Sequence, residues 1–152
     1  MTNFMISYSI LMVGTEKWIS FSDWDEASDG ESSSAIAQIK IDASQQSGQI
    51  ALKYCVYSSK TGWSNWVSNG SIAGKSDNGA EGFALMVDDT ENTGIGAYYQ
   101  AYVESAGWLD PCSNGGGAGT SGQSKKLERL RIMLSSIKTE TFNNSITPPP
   151  SA

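Results

Sequence analysis

The chain of 152 residues is 39% hydrophobic and 17% charged, and its 16 glycines with many Ser, Thr and Asn residues are typical of strands joined by tight turns. The formal charge of −6 disfavours nucleic acid as a partner, because phosphate binding needs a basic face. The absence of histidine excludes Ser-His-Asp and Cys-His nucleophilic sites and any imidazole general base.

The N-terminal segment, Met1 to Val13, is apolar in part and surrounds Tyr8. It has neither the basic region nor the small-residue cleavage site of a secretion signal. No stretch of the chain approaches the ~18 apolar residues that a membrane span needs. We therefore expect no membrane span and no evident signal peptide, which leaves a cytoplasmic or a secreted location open.

A fixed step of 45 residues separates three tryptophans, and each of them follows a tyrosine by nine or ten residues. The pairs are Tyr8 with Trp18, Tyr54 with Trp63, and Tyr99 with Trp108. Such a period predicts three copies of one unit, at about 4–46, 47–92 and 93–138. Large aromatics repeated at one point of every unit usually fill a core, so we expect these tryptophans to be buried.

Each predicted unit begins with a long strand, placed at 50–57 and 96–103 in the second and third units. A Gly-Trp corner, a short strand and a Gly-rich turn follow. An apolar alternation such as Phe83, Leu85 and Val87 closes the unit and predicts a strand with one buried face. The fold class predicted from these elements is all-β.

Three such units favour a three-fold pseudosymmetric β-prism, with a β-trefoil as the alternative. The long first strands and the alternating closing strands suit the flat sheets of a prism, an argument from fold analogy. We expect residues 1–142 to form a single domain. The tail, 143–152, contains Pro148, Pro149 and Pro150 and is predicted to be a flexible, extended segment.

The pattern in the third unit is Gly107-Trp108, then Ala-Gly-Thr-Ser-Gly-Gln at 118–123, then Leu-Glu-Arg-Leu-Arg-Ile-Met-Leu at 127–134. The second unit carries Gly62-Trp63 and a Trp-Val-Ser-Asn-Gly run at 66–70. This pattern resembles the clostridial hydrophobic repeat with a conserved tryptophan (ChW-type repeat), here in three degenerate copies. That family is known from bacterial extracellular proteins and is associated with surface attachment, so the resemblance implies a binding role.

Sugar binding needs a flat apolar ring beside planar hydrogen-bonding groups, and each unit offers such a group. The candidate ligand-binding residues are Asn65, Trp66 and Asn69 in the second unit, Asp110 and Asn114 in the third, and Asp23, Trp24, Asp25 and Asp29 in the first. They predict a non-catalytic carbohydrate-binding protein, a lectin with up to three related weak sites for glycans or glycoconjugates. A cell-surface adhesive or protein-interaction module is the alternative, and homo-oligomerisation is left open.

The acidic segment from Asp23 to Glu31 offers two other chemistries. Paired carboxylates hydrolyse glycosidic bonds, and clustered carboxylates bind calcium. The segment lacks the spacing and central glycine of a calcium loop, and dense acidic residues in a turn-rich stretch are usually solvated. Cys55 and Cys112 form no Cys-x-x-Cys motif and are predicted to be free thiols. We therefore predict no catalytic residue, no metal and no cofactor.

Overall fold

The computed structural model describes residues 4–30, 34–45, 48–88, 95–113 and 115–135, together with Ile146 and Pro149. Within these ranges the protein is all-β and contains no helix, as predicted. No helix in this part of the chain is therefore long and apolar enough to cross a membrane. The predicted tail, apart from Ile146 and Pro149, lies outside the described residues.

Fourteen strands make up the described part of the chain. The first eight are β1 (Phe4–Met12), β2 (Ile19–Ser22), β3 (Ile36–Gln45), β4 (Gly48–Gln49), β5 (Leu52–Ser58), β6 (Gly62–Trp63), β7 (Val67–Ser68) and β8 (Ile72–Gly74). The other six are β9 (Gly82–Val87), β10 (Gly96–Val103), β11 (Gly107–Trp108), β12 (Cys112–Ser113), β13 (Gly117–Gly119) and β14 (Leu127–Ser135).

These strands form three antiparallel sheets. The first sheet contains β1 to β4 and also β8, which pairs with β3. The second contains β5, β6, β7 and β9, with β13 at the edge of β9. The third contains β10, β11, β12 and β14. Each sheet is therefore built on one long strand, β1, β5 or β10, which pairs with several partners.

The closing strands show the predicted alternation of buried and outward residues. In β14, Leu130, Ile132 and Leu134 are buried, whereas the alternate residues Arg129 and Arg131 are half-buried. Successive side chains of a strand point to opposite faces, so one face of β14 enters the core and the other carries the arginines.

Three tyrosines, rather than the predicted tryptophans, provide the largest rings of the core. Tyr8, Tyr54 and Tyr99 are each at most 1% exposed and lie in the middle of β1, β5 and β10. The prediction that Trp18, Trp63 and Trp108 are buried is wrong, because all three are half-buried. For Trp63 and Trp108, the cause is the register in which their strands pair with β5 and β10.

Trp63 pairs with Tyr57, and Trp108 pairs with Tyr102. Both tyrosines are half-buried and lie three residues beyond the core tyrosines Tyr54 and Tyr99. An odd number of steps along a strand reverses the face, and paired residues share a face. Both indoles therefore lie on the outer faces of their sheets.

Each core tyrosine uses its hydroxyl in the same way. Tyr8 donates to the carbonyl of Asp25, Tyr54 to that of Ser71 and Tyr99 to that of Gly116. The acceptor lies 17 residues after the tyrosine in all three cases. These bonds satisfy three buried phenols and hold the segment that leaves each sheet.

The three sheets are connected by strand contacts at their closing strands. The closing strand of the first sheet, β3, pairs with β8, and that of the second, β9, pairs with β13. The closing strand of the third, β14, receives an isolated bridge from Ala27 to Leu130. Each closing strand is thus bonded to a segment from another part of the chain.

The two cysteines form no disulfide, as predicted, and both are buried. Burial raises the pKa of the Cys55 thiol to about 12, because the interior disfavours the thiolate. The thiol is consequently neutral at ordinary pH and behaves as a small core side chain.

Candidate ligand-binding site

An open cleft of about 400 Å³ lies where the chain leaves the second sheet and joins the first. We call it the Trp63 cleft. Its lining consists of Val56, Ser58, Thr61, Trp63, Ser64, Asn65, Val67, Ile72, Ala73, Gly74, Lys75, Asn78 and Ala80. One wall is therefore the β5–β6–β7 hairpin, and the other is β8 with the turn that follows it.

The position of Trp63 follows from the turn before it. Thr61 donates its backbone N–H to the carbonyl of Ser58 at 3.3 Å, and Gly62 has a φ of +74°, which glycine adopts without a steric cost. The turn brings Trp63 beside Tyr57, with ring centroids 5.3 Å apart at an interplanar angle of 58°. The indole is thereby fixed on the face of the sheet and at the rim of the cleft.

Polar side chains of the cleft are oriented by bonds to their own walls. The hydroxyl of Ser64 accepts the backbone N–H of Val56 at 3.0 Å. The hydroxyl of Ser58 lies 3.1 Å from the carboxamide oxygen of Asn78 and joins the two walls. Asn65 and Lys75 are exposed. The cleft therefore combines one indole with neutral hydroxyl and carboxamide groups and a single ammonium group.

The predicted residues of the second unit do not form one group. Asn65 lines the Trp63 cleft, whereas Trp66 is half-buried and is not part of the lining. The carboxamide of Asn69 is occupied by backbone: its nitrogen donates to the carbonyls of Ala43 at 2.8 Å and Ile50 at 2.7 Å, and its oxygen accepts the Ala43 N–H at 3.1 Å. Asn69 thus connects β3 to the segment before β5.

The predicted residues of the first unit lie in the turn after β2. Asp23 and Asp25 are exposed, and Asp29 is half-buried. Partial burial, and then the nearby charge of Asp25, raise the pKa of Asp23 above its ordinary value. Asp25 accepts the backbone N–H of Ser22 at 3.0 Å through its carboxylate. This carboxylate therefore stabilises the turn in the described structure.

Trp24 is carried by that turn onto the third sheet. Its backbone N–H donates to the carbonyl of Ile132 at 2.8 Å, and its ring stacks on Tyr98 with the ring centroids 5.4 Å apart. The guanidinium carbon of Arg131 lies 4.5 Å from the ring centroids of both Trp24 and Trp108. We call Tyr98, Trp24, Arg131 and Trp108 the arginine stack. The structure brings Trp24 to the third sheet, which the sequence did not indicate.

The remaining predicted residues belong to the third unit. Asp110 is exposed in the segment after β11. Asn114 lies outside the described residues. In the described ranges, no group of three Cys, Asp or Glu side chains is arranged to hold a metal ion.

Trp63, Lys75 and Asn78 line the cleft but were missed as site residues. Trp63 was assigned to the core because of its 45-residue period, although counting strand positions from Tyr54 through the hairpin would have placed it on the outer face. Lys75 and Asn78 carried no comparable indication, because they reach the cleft through the pairing of β8 with the first sheet.

Comparison with protein families finds one match: residues 102–136 match the model described as ChW, Clostridial hydrophobic W. The matched segment runs from the end of β10 through Trp108 and β14. It accounts for one copy of the predicted repeat. The comparisons with curated proteins and with solved structures find no match.

Proposed function

We propose that this protein is a non-catalytic carbohydrate-binding protein and that the Trp63 cleft is its principal site. The observation that carries the proposal is a half-buried indole in the lining of an open cleft whose other polar groups are hydroxyls, carboxamides and one ammonium group. The cleft volume of about 400 Å³ falls within the roughly 300–1,000 Å³ that is usual for small-molecule sites.

The chemistry of a pyranose suits this lining. One face of the ring presents C–H groups that pack on an aromatic plane, and the hydroxyls at its edge need donors and acceptors. Trp63 supplies the plane, and Asn65, Asn78 and Lys75 supply polar groups around it. The side chains of Ser64 and Asn78 are held by the cleft itself, so little conformational entropy is lost when a ligand binds.

The lining also supports the non-catalytic part of the proposal. Hydrolysis of a glycosidic bond requires two carboxyl groups flanking the sugar. The residues described around the cleft include no Asp or Glu. A cleft with hydroxyls, carboxamides and one lysine but no carboxylate in its lining is suited to holding a glycan rather than to cleaving it.

We further propose that the three predicted units form a β-prism with approximate three-fold symmetry. Support comes from three separate sheets, each built on one long strand, and from the tyrosine hydroxyls that all bond to a carbonyl 17 residues later. The contacts of the three closing strands with other segments support it as well. The family match at 102–136 is consistent with one such unit.

The sites of such a prism would be unequal. Trp108 corresponds to Trp63 in the 45-residue period, but the guanidinium of Arg131 lies over its ring and also over the ring of Trp24. We therefore propose one principal site with weaker related sites, whose joint occupancy raises avidity on a multivalent surface.

A cell-surface adhesive or protein-interaction module is the second candidate. It is favoured by Ile72, whose side chain is 48% exposed at the rim of the same cleft. An apolar residue beside an indole suits a protein partner as well as a sugar.

A glycan array followed by calorimetric titration tests the proposal. Trp63→Ala should remove most of the measured affinity for the sugar identified on the array. Trp66→Ala is the matched control, because it truncates a half-buried tryptophan three residues away and outside the lining. A larger loss of affinity for Trp66→Ala than for Trp63→Ala would identify Trp66 as the ring that binds the sugar. Binding to a protein partner, with no sugar bound on the array, would support the second candidate.

A further inference from the structure

Small residues form part of the outer face of the second sheet. In β9 these are Gly82 and Ala84, which pair with Gly119 and Gly117 of β13. Gly82 and Ala84 are buried although they face outward, opposite to Phe83 and Leu85. Other groups must therefore cover this patch of the sheet.

Among the described residues, Trp63 from β6 and Ile146 from the C-terminal tail contribute to that cover. A Cβ atom built on Gly117 would lie 2.7 Å from Ile146 Cγ2 and 3.2 Å from Trp63 Cζ2. A Cβ atom on Gly82 would lie 2.5 Å from Ile146 Cδ1. The missing side chains of Gly82 and Gly117 thus create a seat for Ile146 at the edge of the Trp63 ring.

The sequence of the tail suits this position. Ile146 is followed by threonine and three prolines, and such a sequence favours a polyproline II helix with three residues per turn. Ile146 and Pro149, the described residues of this segment, are both half-buried. Pro-rich segments dock in this conformation into aromatic-lined grooves, since little backbone entropy remains to be lost.

We propose that Gly82, Gly117 and Trp63 form a docking seat for an extended, proline-rich segment, and that the occupant is the segment around Ile146 of the same chain. The segment carries no charged side chain, so its docking rests on apolar contact and shape. The seat is distinct from the Trp63 cleft but shares the indole with it.

The shared indole makes the tail a regulator of the cleft. This second step rests on the proposed function. Ile146 Cγ2 and Trp63 Cζ2 both adjoin the position that a Cβ atom on Gly117 would occupy. A docked Ile146 therefore limits the positions open to the Trp63 ring, which also lines the cleft. If the two events oppose each other, each lowers the affinity of the other by the same factor.

Methyl NMR on the full chain tests the docking without any ligand. Ring currents of Trp63 should displace the Ile146 methyl resonances from their positions in an unstructured peptide, with nuclear Overhauser contacts to the indole. Gly117→Ala should return them toward those positions, because its new methyl group occupies the seat while Ile146 itself is unchanged. Gly117 has no left-handed φ, so alanine fits its backbone.

Two results would overturn the docking: Ile146 methyls at unstructured positions in the parent protein, or contacts that appear only between labelled and unlabelled copies in a mixed sample. The regulatory step is tested by titrating Ile146→Asp with the sugar identified on the array. We expect an affinity increase of roughly threefold or more. In the parent protein only the molecules with an undocked tail bind the sugar fully, and the apparent affinity is reduced in proportion to their fraction. An unchanged affinity would overturn the regulation while leaving the NMR result in place.

Discussion

Arg131 and Trp24 come from the two ends of the described chain, and the guanidinium carbon of Arg131 lies 4.5 Å from the centroid of the Trp24 ring. The same guanidinium donates from Nε and Nη2 to the carboxamide oxygen of Gln100, at 2.8 and 2.6 Å. Trp108 lies at 4.5 Å from it as well. The arginine stack therefore connects the turn after β2 to the third sheet.

Replacing Arg131 should loosen that connection. We expect Arg131→Gln to lower the free energy of unfolding by about 1–2 kcal/mol, since a partly desolvated cation–π contact contributes that much. Arg131→Lys should lower the free energy of unfolding by less, because lysine keeps the positive charge, although it loses the paired hydrogen bonds to Gln100. Urea unfolding measures both variants. Equal stability of Arg131→Gln and the parent would show that the stack contributes nothing.

The buried tyrosine hydroxyls give a second prediction. Tyr99→Phe leaves the carbonyl of Gly116 without its donor, so we expect a loss of about 1–3 kcal/mol. Tyr8→Phe should lose a similar amount, because its bond corresponds. Tyr54→Phe should lose somewhat more, because the Tyr54 hydroxyl also accepts the Ile41 N–H at 3.0 Å. Tyr57→Phe is the control, with a half-buried ring on the outer face, and should change little. Widely different losses among the three core variants would contradict their structural equivalence.

The thiols give a third prediction, which depends on pH. Because the pKa of Cys55 rises from 9.0 to about 12 on folding, its contribution to stability is present below pH 9 and is lost as the pH rises toward 12. We expect Cys55→Ser to show a smaller decline in melting temperature over this range than the parent. At pH 8, a thiol reagent should react slowly with the native protein. After unfolding, it should react rapidly with both cysteines. A native protein that reacts at the unfolded rate would disprove the burial.

Asp23 provides a fourth prediction. Its raised pKa means that the folded state disfavours the carboxylate, so Asp23 lowers stability above that pKa and ceases to do so in acid. Asp23→Asn should therefore raise the melting temperature at pH 7 by more than at pH 3. Asp110→Asn, the same change at another exposed position, controls for net charge. A gain that is equal at both pH values would assign the effect to something other than ionisation.

The sequence by itself determined the strands and the faces of the closing strands. The predicted strand at 96–103 is observed as Gly96–Val103, and the alternation in β14 directs Leu130 and Ile132 inward. Both are local properties, since the period of two is set by backbone geometry. That the two cysteines form no disulfide also followed from composition and spacing.

The tertiary structure alone decided what lies beside those strands. The face occupied by Trp63 depends on the register of its hairpin, and the contact of Trp24 with Arg131 depends on a turn from one end of the chain reaching a strand at the other. The same holds for the bonds from Asn69 to Ala43 and for Ile146 at the glycine seat. A repeat period indicates which positions correspond, but the side chains that meet across sheets are selected by the packing of residues that are distant in the chain.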